Sequence, residues 1–339
     1  MKKFTRREFL PLVGLAAIGT SCISATSVKN SPTKLFPQKL VEGDTIGIAA
    51  PSGGVKDRSE VDDFVRFLRN KGFNVKLGKN AYHRVGYFSA EDHSRAQEFM
   101  ELIQDPEVRA IFTTRGGWGA ARILEHLDFE MIKLNPKIIL GFSDLSSLLN
   151  AISSKTGLVT FHGPNGYSTW NDYSWQYIED LLLDGETKLF ENSTNDQQIV
   201  TYSKGITEGD FYGGNLSVLT GILGSNYLPD WRDKILFLEE IKEEPYRIDR
   251  MLTQLKLNGV FDEINGLVLG SFRKCLAEEP EYSFTLEEVF QQHFSSAKFP
   301  VFHGAQIGHI RNKFTVPIGS RVQIDASKGT IQILQAAVI

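Results

Sequence analysis

Short apolar runs alternate with amphipathic stretches along residues 44–166. "DTIGIAAPSG" (44–53) reads as a strand ending in a Pro/Gly loop. Val61, Phe64, Val65 and Leu68 recur at i, i+3, i+4 and i+7, the period of a one-faced helix. "FNVKLG" predicts a second strand. "SAEDHSRAQEFMELIQD" predicts a helix with Ser89 as its cap and Asp92 three residues on, a capping-box variant. "VRAIFTT" predicts a strand that runs into "RGGWGAARIL". "PKIILGFSD" predicts another, followed by a helix over "DLSSLLNAISSKTG", and "LVTFHGP" closes the series. Strands alternating with helices imply a parallel sheet covered on both faces. Reactive groups in such sheets collect at the carboxyl ends of strands, and both "RGGWG" and "GFSD" fall at that edge.

Near residue 166 the texture changes to aromatic and polar connectors, "YSTWNDYSW" and "LLDGETKLFENSTNDQQ". A second patterned segment follows, with "GDFYGGNLSVLTGILGS", a strand over "KILFLEEI", a helix over "YRIDRMLTQLKLNG", a strand over "NGLVLGSF" and a late run that alternates like β structure. The expected organisation is an export signal (1–21), a polar linker (22–40), an N-terminal α/β domain (41–166), a connector (167–199) and a C-terminal domain (200–339).

Composition narrows the classes. Of 339 residues, 41% are hydrophobic and 23% charged, a globular balance, and the net charge of -4 lacks the basic footprint of a nucleic-acid binder. No stretch approaches the ~18 consecutive apolar residues of a membrane span. The start, "MKKFTRREFLPLVGLAAIGTSC", has a basic region, an apolar stretch and small residues, with twin arginines Arg6 and Arg7. It resembles a twin-arginine export signal ending at a lipoprotein-type Cys22, although Gly19 stands where Leu is usual. Acylation of Cys22 would anchor the chain to a membrane without spanning it, on the periplasmic side of the envelope. The other cysteine is Cys275, so a disulfide framework and a Cys-rich zinc site are excluded.

Four groups of residues offer chemistry. Ser143 sits where an apolar run meets a helix. A tight turn there would expose a nucleophile and aim N–H groups at developing charge. Ser143 or Asp144 reads equally as a helix cap. The glycines of "TTRGGWGAAR" (113–122) allow close backbone approach, for an oxyanion hole, a phosphate-binding turn or a plain turn. Glu239 and Glu240 end an apolar strand, where a carboxylate can orient an imidazole; periodicity does not choose between them. The histidines are His83, His93, His126, His162, His293, His303 and His309, and the glycine-rich "FHGAQIGHI" holds two of them. No H-E-x-x-H spacing supports zinc on His162, His303 and His309.

In order along the chain, "GDTIGIAAPSG", "TTRGGWGAARIL", "LGFSDLSSLL", "GDFYGGNLSVLTGILGS", "LFLEEIKEEPYRIDRMLTQL" and "GAQIGHIRNKFTVPIG" together resemble the LD-carboxypeptidase family of serine peptidases. That family includes muramoyltetrapeptide carboxypeptidases and microcin C self-immunity peptidases. The resemblance covers about 40–335. It implies a flavodoxin-like or amidotransferase-like parallel-sheet N-terminal domain joined to a smaller β-rich α/β C-terminal domain, with the site between them. It implies Ser143 as nucleophile, Glu239 as the acidic member and His309 as base, with the N–H groups of Asp144 and Gly117 receiving the oxyanion. It implies no cofactor, a muropeptide or other peptide substrate, and a possible homodimer. Arg115 and Arg250 are candidates for gripping a substrate carboxylate, and equally for structural ion pairs. Recycling enzymes of the family are usually cytoplasmic, whereas this chain carries an export-like start, which favours action on envelope peptides. The competing expectations are an amidase for peptide-nucleotide antibiotics, a non-catalytic peptide-binding lipoprotein and a metal-dependent hydrolase.

Overall fold

The apolar runs sort into two sheets. The computed structural model describes residues 32–193 and 198–339. The expected export signal (1–21) and Cys22 lie outside the described residues.

The first sheet is built as the alternation predicts. Strands β1 (Thr45–Ala49), β2 (Asn74–Leu77), β3 (Val108–Thr113), β4 (Ile138–Gly141) and β5 (Thr160–His162) are linked by helices α1 (Arg58–Asn70), α2 (Asp92–Gln104), α3 (Phe129–Leu134) and α4 (Leu145–Thr156). The five strands are parallel in the order β2-β1-β3-β4-β5. This is the flavodoxin-like order, with its ligand crevice at the carboxyl edge where the winding direction reverses, between β1 and β3. Helix α1 buries Val61, Phe64, Val65 and Leu68, and Asp57 caps it by accepting from the Ser59 N–H. Helix α2 departs from expectation. It starts at Asp92, and Ser89 does not cap it; the Ser89 hydroxyl donates to the Ala50 carbonyl (2.5 Å) and holds the loop after β1.

The second half adds α5 (Asp172–Ile178), β6 (Leu189–Phe190), β7 (Val200–Ser203), β8 (Ile206–Asn215), α6 (Leu216–Gly221), β9 (Lys234–Ile241), α7 (Pro245–Leu257), β10 (Gly266–Arg273), β11 (Val301–His303), β12 (Val316–Ile318), β13 (Arg321–Asp325) and β14 (Thr330–Ile333). Its sheet runs β6-β14-β13-β8-β9-β10-β11-β7, with β8 to β11 parallel and antiparallel strands on both flanks.

Two features cross the expected boundaries. Strand β12, from the C-terminal segment, pairs antiparallel with β5 and completes the first sheet, with Val316 opposite His162. The 200–339 segment therefore serves both sheets. The described end of the 22–40 linker is also part of the fold. Leu35 pairs with the chain after α4 (Leu35 N–H to Gly157 O and Val159 N–H to Leu35 O, both 2.9 Å), Leu40 is buried, and Lys39 N–H donates to Ile339 O (2.9 Å). The physical cause is apolar: Leu35, Phe36 and Leu40 cover the main hydrophobic core.

The two sheets meet where α4 lies on β8. Gly214, with φ of 147°, lets α4 approach, since a Cβ there would strike the Ser146 side chain; a Cβ at Gly213, with φ of 151°, would meet Phe237 on β9 instead. Asn150 closes the contact. Its amide donates to Gly213 O (2.8 Å) and Ser146 O (2.7 Å), and it accepts from Gly213 N–H (3.2 Å). The Ser146 hydroxyl accepts from Asn215 N–H (2.9 Å).

Candidate active site

Three distant residues converge at the carboxyl edge. Ser143 follows β4 in the left-handed region, with φ of 66°, a conformation uncommon for residues other than glycine. Gly141 makes the turn possible, because a Cβ there would lie 2.6 Å from Thr113 Oγ1. His309 lies in the link from β11 to β12, and so spans from one sheet to the other. Glu239 lies on β9, fully buried. His309 Nε2 is 3.1 Å from Ser143 Oγ, and Nδ1 is 2.7 Å from Glu239 Oε2. A carboxylate only accepts, so Nδ1 donates to Glu239 and Nε2 accepts from the serine hydroxyl. Gly308, with φ of 114°, lets this pair close; a Cβ there would be 2.5 Å from Glu239 Oε2.

Glu240 faces elsewhere. It accepts from the Asn215 amide and the Ser217 N–H, both at 2.8 Å, and burial raises its carboxyl above the usual range. The structure thus separates the two glutamates that periodicity left equal.

Asp144 is neither a side-chain cap nor part of the hydrogen-bonded chain. Its buried carboxylate accepts from Ser52 Oγ (2.5 Å) and Ala120 N–H (2.8 Å), while burial pushes its carboxyl up. It therefore ties the "APSG" loop and the "RGGWG" loop to the serine turn. Buried Arg95 reinforces the tie by donating to Pro51 O (2.5 Å) and Gly119 O (2.8 Å). Gly116 packs on the serine, where a Cβ would sit 2.7 Å from Ser143 Cβ and 2.9 Å from Oγ. Gly117 follows with φ of 117°. Neither the Gly117 nor the Asp144 N–H donates to an acceptor among the described residues. The α4 N-terminus beside Asp144 adds its positive end.

The two arginines offered by the sequence do not meet this chain. Arg115 donates to Gly54 O (2.9 Å) and stacks on Tyr167 (4.8 Å). Arg250 is exposed on α7 over Tyr246 (5.4 Å). Neither makes an ion pair among the described residues. Three groups nearer the site went unassigned in the sequence. Phe142 packs its ring on His309 (4.8 Å). His162 lies beyond it, fully buried, and burial holds its imidazole down to about 4, so it is neutral at pH 7. Lys313 is buried over the Phe142 ring, and burial pulls its ammonium down to about 8. Phe142 and Lys313 lie inside the quoted family motifs, and that placement was the signal available; His162 lies outside them.

A serine hydroxyl, an imidazole and a buried carboxylate in series are the arrangement of a serine-type hydrolase site. The LD-carboxypeptidase N-terminal domain model matches residues 46–163 and the C-terminal domain model residues 208–324. The chain belongs to the LD-carboxypeptidase family of serine peptidases. It is 37% identical over 302 residues to a probable murein peptide carboxypeptidase of Bacillus subtilis (strain 168), covering 88% of this chain and 93% of the relative. Among solved structures it is similar to the microcin C7 self-immunity protein MccF in complex with glutamyl sulfamoyl guanosine, with TM-score 0.83, 29% identity, and coverage of 90% of this chain and 100% of the other. It is also similar to the muramoyltetrapeptide carboxypeptidase from Oxalobacter formigenes, with TM-score 0.72, 28% identity, and coverage of 85% and 97%.

Proposed function

We propose that this protein hydrolyses the L,D-peptide bond to a terminal D-amino acid in murein-derived tetrapeptides, through a Ser143–His309–Glu239 relay and an acyl-enzyme. The observation that carries the reading is the pair of hydrogen bonds that His309 makes, accepting from Ser143 (3.1 Å) and donating to Glu239 (2.7 Å). Ser143 Oγ attacks the carbonyl carbon of the L-residue as its proton passes to His309 Nε2. Glu239 holds Nδ1–H and offsets the imidazolium charge. The amides of Asp144 and Gly117 receive the oxyanion; loss of one such donor costs about 3–4 kcal/mol in the barrier. The oxyanion collapses, the C–N bond breaks, and His309 returns its proton to the departing amine. Water, deprotonated by His309, then attacks the ester and releases the shortened peptide. Incubation of tetrapeptide stems with wild type and Ser143→Ala tests this. The expectation is D-alanine release by the wild type and a fall in kcat on the order of 10⁶-fold in the variant. Equal release by both removes the serine from its role.

The likeness to MccF favours a second reading within the same chemistry, cleavage of an acidic residue from a nucleotide-like amide. A panel pairing tetrapeptides with aminoacyl sulfamoyl nucleosides separates the two by kcat/KM. A non-catalytic peptide binder would leave the strained Ser143 turn without a purpose, and would escape an acylating active-site probe.

The reading includes a place in the cell envelope, supported by the twin arginines and Cys22. Fatty-acid labelling of cells is expected for the wild type and lost in Cys22→Ser.

A further inference from the structure

Arg273 is the last residue of β10, on the strand beside the one that carries Glu239. Its Nη1 donates to the carbonyl oxygen of His309 at 3.1 Å, so the guanidinium rests on the main chain of the relay's own imidazole. The side chain is exposed, and it has no carboxylate partner among the described residues. A second cation stands across the ring stack. Lys313 Nζ lies 4.9 Å from the Phe142 ring centroid, and that ring packs on His309 at 4.8 Å. Lys313 is 4% exposed, and its ammonium has neither an ion pair nor a hydrogen bond among the described residues.

The nearby anions are held by the protein, although Glu239 Oε1 has no partner among the described residues. Glu239 is bound to His309, and Glu240 to Asn215 and Ser217. Two cations therefore flank the imidazole with one buried carboxylate, Glu239, facing both His309 and Lys313, and catalysis adds a further positive charge when His309 takes its proton. A ligand bringing a negative charge relieves this arrangement.

We infer that Arg273, backed by the field of Lys313, receives the α-carboxylate of the substrate's terminal D-residue. The inference rests on the carboxypeptidase reading and names the group by which this enzyme tells a chain end from an interior bond. The geometry follows from connectivity. The amine that His309 protonates and the terminal carboxylate share one Cα, so the grip must lie within about one residue's length, ~3.8 Å, of the leaving nitrogen. The guanidinium is anchored on the main chain of the residue that delivers the proton, with its remaining N–H groups open, and its fork matches a carboxylate in bidentate fashion. Arg115 and Arg250 are engaged with Gly54 and Tyr167 and with Tyr246 respectively.

The test is a matched pair of tetrapeptides, one ending in D-alanine and the other in D-alanine amide, assayed with wild type, Arg273→Gln, Arg273→Lys and Lys313→Met. Wild type is expected to prefer the free acid. Arg273→Gln should lose about 100-fold in kcat/KM on the acid, chiefly in KM, and far less on the amide, so that the preference for the acid collapses. Arg273→Lys should recover part of that loss, and Lys313→Met should show a smaller loss confined to the acid. The amide reaction doubles as a check of folding. If Arg273→Gln lowers both substrates equally, or neither, the inference is overturned while the carboxypeptidase reading stands. If wild type cleaves neither peptide, the carboxypeptidase reading falls and takes the inference with it.

Discussion

His162 shows how a residue beside the relay can be set by burial alone. It sits at the end of β5 between Phe142 (6.0 Å) and Phe237 (5.2 Å), and neither ring nitrogen has a hydrogen-bond partner among the described residues. Burial lowers it from 6.5 to about 4. The folded imidazole therefore refuses a proton that the unfolded chain accepts between those values. Its contribution is fully present above pH 6.5 and is lost as pH falls toward 4, by roughly 3 kcal/mol. His303, held to about 4 by burial, acts in the same direction, so the contrast must be made with a variant. Urea unfolding of wild type and His162→Leu at pH 7 and pH 4.5 should show a smaller loss of stability in the variant. Parallel losses would assign the acid sensitivity elsewhere. The glutamate pair teaches a related lesson about legibility. Strand β9 is buried on both faces along nearly its whole length, so alternation carries no information about which of Glu239 and Glu240 turns to the site. Order and motif resemblance pointed to Glu239; geometry alone separates it from its neighbour.

At the scale of elements, α4 does two jobs. Its N-terminus follows the serine turn, and its side is clamped to β8 by Asn150 and Ser146, next to the strand that bears Glu239. The distance from nucleophile to acid therefore depends on this helix–strand contact. Asn150→Ala strands the buried N–H and carbonyl of Gly213, which should cost about 2–4 kcal/mol in chemical denaturation. It should also lower kcat in the fraction that remains folded; unchanged kcat would mean that the serine turn is held by the Asp144–Ser52 tie alone. Most of these elements were legible. The period of α1 and the apolar runs of β1, β3 and β4 translate directly into buried positions. Ser89 was misread because local cap grammar competes with tertiary partners, and its hydroxyl found the Ala50 carbonyl instead. The "FYGGN" glycines carry no local sign of their role. They are a close contact inside a strand, and only the position of α4 reveals it.

At the scale of the whole molecule, the sequence conveyed two patterned halves and missed how they interlock. A polar stretch with Pro and Ser reads as a linker, yet Leu35, Phe36 and Leu40 within it find an apolar surface that the local pattern cannot display. The short run at Val316–Ile318 likewise looks like one more strand of its own half. It instead borders β5, and the segment leading into it delivers the imidazole. A gene divided between the halves would consequently yield no pair of self-sufficient modules. The first piece would end with β5 bare along its outer side, an invitation to self-association. Swapping halves between relatives faces the same restriction: the incoming piece must lay its borrowed edge against the host's β5 in register, or the base arrives displaced from the hydroxyl it is meant to serve.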